Sequence, residues 1–547
     1  MRGGLLGQLL KAQRAAVAPT VGISLFALIG VGGIAFDYAR LASMDTELQN
    51  AADQAALAAA TQLDGTSTAI TRATNAAQNL IQNQTLFAND DDASGTAVTI
   101  DPALVFYSAY DSTTDTGTVT TDPVAAKFVE VTVDAREAFY ALTPVVSAFS
   151  SGDIDAQAVA GLGSAICKVP PVMICNPQET GGNTAFDVTT LIGKGLRLVT
   201  VGNGSGTWAA GNFGYLDTGG GSNGAPGLRE ALGWENPPGE CSPESGIDTK
   251  PGATVTVTDA LNTRFDIYTN VSCPTGGNCG ASINSVKDVV RPNNASGNNA
   301  CTLHNQGWQE VASAGRYLPT SATSPLASSI TPTAMGHPRD MCHAVSSSTT
   351  GYCSSAIGAG LWDRDAYFRS NYGWSDTDWR THTGLSTTVS PYTTDASGTV
   401  IPNPAYASRY NVYAWEIENR GDTVGSEVIL DSRTASGSGP TALMDHDSPI
   451  CSSAQGYGSG VVPGGGVVDR RRISVAVVNC VANSVNGNST GVPVKDWLDV
   501  FIVEPSLNRD RTNAGEVYVE VVGLTDSGVN GTTNPQVIQR SVPYLLK

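Results

Sequence analysis

Charged residues are scarce in this chain of 547 residues, and basic ones are scarcer than acidic ones. Only 15% of the residues are charged, and the formal net charge is −19. Proteins that bind nucleic acid present a basic face to the phosphates, and this composition supplies none. The acidic excess also disfavours a peripheral grip on anionic lipid. We therefore expect no nucleic-acid partner.

The residue types of metal and nucleophile chemistry are equally sparse. The five histidines form no His-Glu-x-x-His motif, and the cysteines form no Cys-x-x-Cys pair, so the commonest zinc and thiol-redox spacings are missing. His337 and His343, with Cys342 between them, could hold a metal, but a disulfide at Cys342 is the favoured interpretation. We predict no enzyme activity, no cofactor and no small-molecule substrate.

Cysteine is absent from the first 166 residues, and all ten cysteines follow. An even number confined to one part of a chain indicates disulfides formed in an oxidising compartment. Ten cysteines can pair in very many ways, and spacing alone does not choose among them. Proximity favours three local pairs: Cys167–Cys175, Cys273–Cys279 and Cys342–Cys353.

What the N-terminus does contain is a long apolar run from Ala15 to Phe36. This is about the ~20 residues that a helix needs to cross a bilayer. Arg2, Lys11 and Arg14 precede the run without any acid, which predicts a cytoplasmic N-terminus and an exported C-terminal part. The alternative is a cleaved signal peptide ending at a small-x-small site near Gly33, although the run is longer than a signal core.

An Ala-rich segment without Gly or Pro continues the apolar run to Asp64, so we predict one uninterrupted helix. Its apolar residues recur at three- and four-residue steps and share one face. Two interpretations stay open, a surface that packs on pilin-like partners and a spacer face that packs on its own domain. The face consists of Leu41, Met44, Leu48, Ala52, Ala55 and Ala59.

The N-terminal sequence resembles that of TadG-like proteins, which belong to the Flp, or tight-adherence, pilus assembly system. The resemblance lies in the apolar run, the following Asp-Tyr-Ala-Arg, and Leu-Gln-Asn-Ala-Ala-Asp-Gln-Ala-Ala-Leu-Ala at residues 48–58. The resemblance implies a non-enzymatic assembly component in the inner membrane. Its partners would be pilin-like and other pilus-assembly proteins, with the C-terminal domain in the periplasm. The alternatives are a surface adhesin or minor pilus subunit and, less favoured, a membrane-tethered hydrolase.

The composition along the chain predicts an α+β protein with four parts. These are a cytoplasmic tail (1–14), a transmembrane helix (15–36), a stalk helix with a small α+β unit (37–163), and a cysteine-containing, mainly-β outer domain (164–547). Period-two alternation predicts a strand over Phe128–Asp134, and apolar strand patterns predict a buried sheet formed by Arg472–Cys480, Trp497–Glu504 and Glu516–Val522. Helices are expected over Ala69–Gln84 and Ala138–Ser150.

Two further clusters have a functional and a structural interpretation. Asp90, Asp92, Ser94 and Asp101 have the spacing of a calcium loop, but a strand follows where that motif has a helix, so a solvated turn is favoured. The aromatic run from Trp362 to Trp374 could present a ligand platform, with nearby acids suggesting sugar hydrolysis. Burial in the domain's own core is the favoured interpretation of that run.

Overall fold

A computed structural model shows the mixed α+β fold that the sequence predicts, with a long N-terminal helix followed by mostly β structure. The chain divides into two compact units, residues 1–164 with 541–547 (unit 1) and residues 165–540 (unit 2). The structure describes residues 17–546 apart from 64–65, 80–82, 89–94, 112–113, 124, 147–150, 168–170, 201–207, 218–224, 238–241, 244–245, 251–256, 272, 274–277, 346–352, 354, 396–397, 399, 465–466, 487–488, 508–514 and 526–537.

Unit 1 begins with one continuous helix, α1 (Val17–Ala60), as predicted. At about 1.5 Å per residue, its 44 residues extend over roughly 65 Å. A second helix, α2 (Ala69–Asn79), packs back on α1 through buried alanines and ends before the predicted Gln84. Alanine dominates both helices because it costs no side-chain entropy and lets the backbones approach closely.

An antiparallel sheet completes unit 1. Its strands follow the order β6-β5-β3-β4, and a separate hairpin joins β1 to β2. The long pair β5–β6 runs in register from Phe128 opposite Gly161 to Phe139 opposite Ser151, with a bulge after Val133. The strands are β1 (Gln84–Thr85), β2 (Thr96–Ala97), β3 (Val105–Asp111), β4 (Thr116–Val119), β5 (Phe128–Phe139) and β6 (Ser151–Cys167).

Strand β5 shows the alternation that its sequence predicts. Its valines at 129, 131 and 133 are fully buried, and the residues between them are partly exposed. The small side chains of β6 at Ala156, Ala158 and Ala160 lie beside them in the same core. Alanine and valine therefore form a flat apolar surface on which a helix can pack closely.

The helix predicted over Ala138–Ser150 is wrong. Strand β5 continues to Phe139 instead, and only a short 3₁₀ turn, Thr143–Val146, follows. Pro144 has no backbone N–H, and the β-branched Val145 and Val146 have low helix propensity, which disfavours a regular helix.

Unit 2 is built on a closed six-stranded barrel. Its strands pair in the order β9-β7-β20-β21-β22-β8, and β8 pairs with β9 to complete the circle. Pairings β7–β20 and β8–β9 are parallel, and the other four are antiparallel. The strands are β7 (Val172–Cys175), β8 (Gly195–Thr200), β9 (Asn212–Asp217), β20 (Arg472–Val478), β21 (Val494–Ile502) and β22 (Glu516–Leu524).

Side chains fill the barrel, so its interior is a core and not a channel. Alternate residues of the strands point inward, including Leu198, Phe213, Val475, Val500 and Val519. The intervening residues are buried too, which shows that the rest of unit 2 covers the outer face. Burial on both faces explains why the sequences of β20, β21 and β22 are nearly continuous apolar runs.

The remaining elements of unit 2 lie mostly in the long segment between β9 and β20. Strands β12, β13, β18 and β19 form a four-stranded sheet, and two hairpins are separate. The helices are α3 (Ala225–Gly233), α4 (Met341–Ala344), α5 (Arg364–Tyr372), α6 (Asp376–Thr383), α7 (Arg409–Glu418) and α8 (Cys451–Ala454). The strands are β10 (Ser242–Pro243), β11 (Asp248–Thr249), β12 (Val289–Pro292), β13 (Gln309–Glu310), β14 (Tyr392–Thr394), β15 (Val400–Pro402), β16 (Thr423–Val424), β17 (Glu427–Val428), β18 (Ser432–Ser436) and β19 (Leu443–His446).

The end of the chain returns to unit 1, which corrects the prediction that residues 541–547 belong to the outer domain. The last strand, β23 (Ile538–Leu545), pairs with β6, and the backbone N–H of Leu546 donates to the carbonyl of Val159 at 2.8 Å. Sequence periodicity identifies strands but does not tell which sheet a terminal strand joins.

Candidate functional site

Helix α1 consists of two halves with opposite surroundings. From Val17 to Phe36, its large apolar side chains are exposed, and Val31, for example, is 69% exposed. From Met44 onward, its apolar face is buried in unit 1. Among the described residues, α1 alone is long and apolar enough to cross a membrane. The exposed half therefore has the length and chemistry of a membrane span.

The alanine face of the second half is occupied by the chain's own sheet. Met44, Leu48, Ala52, Ala55 and Ala59 are at most 1% exposed and share a core with β5 and β6, while Leu41 packs at its margin. Of the two interpretations of this face, the burial favours the one in which it packs on its own domain. The physical reason is that β5 and β6 offer a flat valine and alanine surface, which the same face covers.

Three polar side chains that follow the apolar run attach α1 to the rest of unit 1. The Asp37 carboxylate accepts hydrogen bonds from the backbone N–H groups of Ala141, Leu142 and Thr143 at 2.9, 2.9 and 2.7 Å. Arg40 donates to the carbonyl of Phe87 at 2.8 Å, and the Glu47 carboxylate accepts from the N–H of Leu86 at 3.0 Å. The helix is thus held at defined points and not by apolar contact alone.

Asp37 is the strongest of these attachments. Burial by itself raises the pKa of its carboxyl, but the backbone hydrogen bonds from Thr143, Ala141 and Leu142 outweigh that effect and lower the pKa to about 2. The group is therefore ionised at neutral pH and fully used as an acceptor. Sequence reasoning missed this role, although the position of an acid directly after an apolar run was the available signal.

The calcium prediction is only partly accessible to the structure. Asp90, Asp92 and Ser94 lie outside the described residues. Asp101 lies in the described part, where its carboxylate accepts a hydrogen bond from the N–H of Ala103 at 2.8 Å. That contact is a local turn, which agrees with the favoured interpretation for this residue.

Four disulfides occur among the described residues, and all of them lie in unit 2. The predicted pairs Cys273–Cys279 and Cys342–Cys353 are confirmed. The predicted pair Cys167–Cys175 is wrong, because Cys175 bonds to Cys480, 305 residues later, and the fourth bond joins Cys301 to Cys451. Cys175 and Cys480 meet because β7 and β20 are parallel neighbours in the barrel. The side chain of Cys167 lies outside the described residues.

The histidine and cysteine cluster serves packing. Cys342, His343 and Cys353 bring possible ligand atoms within 4.8 Å, but both sulfurs are committed to the disulfide. His343 hydrogen-bonds through Nδ1 to the hydroxyl of Tyr518 at 2.7 Å, and burial lowers its pKa to about 4. His337 is fully buried beside Arg471, and burial lowers its pKa as well. Neutral imidazoles are thus part of the core.

The aromatic run lies in the core of unit 2, as the favoured interpretation predicts. Trp362, Tyr367, Phe368, Trp374 and Trp379 are all at most 3% exposed. The nearby acids have structural roles: Asp363 caps α5 by accepting from the N–H of Ala366, and Asp365 accepts from the indole of Trp379 at 2.9 Å. These five aromatic side chains therefore do not form an exposed platform.

Glu416 is the most unusual acid beneath this aromatic cluster. Its carboxylate accepts from the hydroxyls of Tyr367 and Tyr372 at 2.6 and 3.0 Å and from Asn284 at 2.6 Å. Burial raises the pKa of Glu416 to about 7, and the three hydrogen bonds oppose the rise without cancelling it. Such a group can change charge near neutral pH, yet all its close contacts are to core side chains.

Paired charges cover the outer face of the barrel. Arg409 at the start of α7 reaches both Asp340 and Glu520, and the backbone N–H of Tyr410 donates to the same Glu520 carboxylate at 2.9 Å. On β20, Arg472 pairs with Asp499 of β21. Sequence reasoning missed these residues, because a charge within an apolar pattern does not reveal its partner.

A small cavity of about 90 Å³ lies beside this charged layer. Lys287, His337, Arg339 and Glu504 are among its lining residues, and Arg339 pairs with Glu504 at 2.8 Å. The volume is enough for a few water molecules. Both lining arginines are paired with carboxylates, Arg316 with Glu310 and Arg339 with Glu504.

The comparison with protein families identifies the N-terminal segment. The family described as putative Flp pilus-assembly TadE/G-like matches residues 15–62, which coincide with α1. This confirms the resemblance to TadG-like proteins and supports involvement in Flp pilus assembly. The search of curated proteins and the search of solved structures both return no match.

Proposed function

We propose that this protein is a non-enzymatic component of Flp pilus assembly, anchored in the inner membrane by the first half of α1. The observation that carries the proposal is the coincidence of the matched segment, residues 15–62, with one helix that is apolar and exposed in its first half and folded into a unit in its second. A helix of this kind couples a bilayer rigidly to an attached domain.

The proposed orientation places the N-terminus in the cytoplasm and unit 2 in the periplasm. Arg2, Lys11 and Arg14 precede the apolar run, and basic residues flanking a span stay on the cytoplasmic side. The four disulfides of unit 2 support an oxidising compartment for the C-terminal part. Both signals favour the same topology.

The proposed mechanism is scaffolding, with partner contacts in the exposed half of α1. Since the alanine face is used inside unit 1, the exposed apolar surface of α1 that is left for pilin-like partners is the first half. Gly22 and Gly32 have open space around them, and such small residues let a second membrane helix approach closely. The periplasmic surfaces would contact other assembly proteins.

Cell fractionation tests the proposal. A C-terminally tagged copy is expected full-length in the inner membrane, with its tag digested only after the outer membrane is opened. Leu28→Arg, which places a charge in the span, should reduce membrane retention, and Leu28→Val serves as the matched control. A shortened chain in sheared filaments or in the medium would instead indicate a minor pilus subunit or adhesin.

A further inference from the structure

We propose that the turn Ala141–Pro144 of unit 1 is a second membrane contact, in which Leu142 enters the lipid bilayer beside α1. The inference rests on the proposed anchoring by α1 and goes beyond it, because it concerns a segment more than a hundred residues away in sequence. Its consequence is that unit 1 is seated on the membrane surface at a fixed height and orientation. Three observations carry it.

The first observation is the position of the turn along α1. A Cβ atom added at Gly33 would lie 2.8 Å from the Cβ of Leu142, so Leu142 packs directly on the helix backbone at that point. Gly30 and Gly33 are buried, whereas the large apolar side chains around them are exposed. The 3₁₀ turn Thr143–Val146 also contacts α1. Gly33 thus leaves a groove in the surface of α1 that receives Leu142.

The second observation is depth. Gly33 lies three residues before Phe36, the last residue of the apolar run, which corresponds to about 4.5 Å along the helix axis. The part of this run that lies in α1, from Val17 to Phe36, measures roughly 30 Å, which equals the ~30 Å thickness of a hydrocarbon core. If this run spans the bilayer, a side chain beside Gly33 lies within the membrane boundary. Leu142 is 41% exposed there and has the chemistry that lipid accepts.

The third observation is the order of side-chain types along the axis of α1, from Leu142 towards the C-terminal half of the helix. Phe87 and Phe139 are exposed, and the N–H of Phe139, the last residue of β5, donates to the carbonyl of Ala88 beside Phe87 at 2.8 Å. Arg40, about one turn beyond Asp37, donates to the carbonyl of Phe87. Aromatic rings and arginine belong to the headgroup layer, and leucine belongs beneath it. The order along α1 matches that of a membrane interface.

Asp37 makes the contact rigid. Its three hydrogen bonds to the N–H groups of residues 141–143 satisfy the backbone of a turn that would otherwise bring unpaired donors towards lipid. A bilayer is the occupant that this surface fits, because the exposed leucine is continuous with the exposed apolar face of α1. A second copy of the chain is the competing occupant, and the experiment separates the two.

Photo-crosslinking in vesicles tests the proposal. The full-length protein, carrying a benzophenone amino acid at position 142, is reconstituted in phosphatidylethanolamine and phosphatidylglycerol and irradiated, and adducts are identified by peptide mass. Position 29 in α1, where Ile29 is 51% exposed, reports the anchor. Position 119 in β4, where Val119 is 64% exposed, is the matched apolar control.

Phospholipid adducts at positions 29 and 142, with none above background at 119, are expected. Adducts at 29 without adducts at 142, or crosslinks from 142 to a second copy, would overturn the membrane contact and leave the anchor intact. Absence of lipid adducts at 29 would overturn both proposals. Gly33→Leu fills the groove, so it should abolish the adduct at 142 and preserve the one at 29. Retention of the 142 adduct in that variant would contradict the groove.

Discussion

The two units of this protein reach a stable core by different means. Unit 1 packs alanine and valine between a helix and a sheet, and its sequence contains no tryptophan and no cysteine before position 167. Unit 2 contains all eight tryptophans, the four disulfides and the buried ion pairs around Arg409 and Arg472. The difference follows from how much regular secondary structure each unit contains.

In unit 1, regular elements satisfy most of their own backbone groups, so small apolar residues form the core and only a few polar side chains, such as Asp37, add attachments. In unit 2, the long segment between β9 and β20 has little regular structure, and its backbone and charged groups need specific partners. Disulfides shorten the loops of the unfolded chain, and arginines bind carbonyls and carboxylates of irregular segments. Unit 1 should therefore fail through lost packing, and unit 2 through lost crosslinks and pairs.

The largest effect is expected from a charge in the alanine core of unit 1. Ala55 is fully buried, and Ala55→Glu would place a carboxylate there without a partner, which costs more than about 5 kcal/mol and unfolds the unit. Limited proteolysis should cleave within residues 37–163, while tryptophan emission from unit 2 stays native. Gln54→Glu on the exposed side is the control. Intact unit 1 with weakened partner binding would restore the partner-packing interpretation.

The next largest effect concerns the crosslink of longest range. Cys175 and Cys480 are 305 residues apart, and loop-closure entropy gives their disulfide about 6 kcal/mol of stabilisation, against about 2 kcal/mol for Cys273–Cys279, which are 6 residues apart. Serine replacement of each pair should lower the denaturant midpoint of tryptophan fluorescence in that ratio. Equal losses from the two pairs would mean that chain entropy does not explain how unit 2 is stabilised.

A buried ion pair comes third. Arg409→Ala removes the partner of both Asp340 and Glu520, and an unpaired buried carboxylate costs about 3–5 kcal/mol. Urea unfolding of the full chain should show this loss, while Arg420→Ala, at an exposed position of the loop after α7, changes stability by no more than about 0.5 kcal/mol. A similar small effect from both variants would show that unit 2 does not depend on its buried charges.

What the sequence predicted depended on periodicity and composition. The uninterrupted apolar and Ala-rich pattern predicted α1, period-two alternation predicted β5, and apolar strand patterns predicted β20, β21 and β22. Neither signal contains information about which distant segments meet. The Cys175–Cys480 bond and the return of β23 to unit 1 are set by topology, so the rule of nearest cysteines was wrong for Cys167–Cys175.

The candidate site shows the same division. The apolar run and its basic flank identified the segment that also matches a pilus-assembly family. The sequence correctly predicted that the alanine face is apolar. It did not show whether that face packs on a partner or on its own sheet, because β5 and β6 lie far along the chain. The contacts of Asp37 with the turn at residues 141–143 depend on the same long-range fold.

Titration of Glu416 in unit 2 should change stability less than the loss of the Arg409 ion pairs. Burial raises the folded pKa of Glu416 from its ordinary 4.5 to about 7, so the folded state retains the proton to higher pH than the unfolded chain does. Stability should therefore fall as pH rises from about 4.5 to 7, by on the order of 2 kcal/mol. Urea midpoints measured across this range should fall less steeply for Glu416→Gln. Parallel curves for the variant and the parent protein would exclude Glu416 as the source.

The smallest and most local effect is expected at Asp37 in unit 1. Because its folded pKa of about 2 lies below the ordinary 3.8 of an aspartate, its stabilising effect is present above about pH 4 and is lost as pH falls towards 2. Asp37→Asn removes charge-assisted acceptors and should cost about 1–2 kcal/mol at neutral pH. Hydrogen exchange at the amides of residues 141–143 should accelerate by about tenfold, while Asp45→Asn on the exposed side leaves it unchanged. Unchanged exchange in Asp37→Asn would mean that packing at Gly33 alone holds the turn. Unit 1 would then need no polar attachment at this point, in contrast to the buried ion pairs of unit 2.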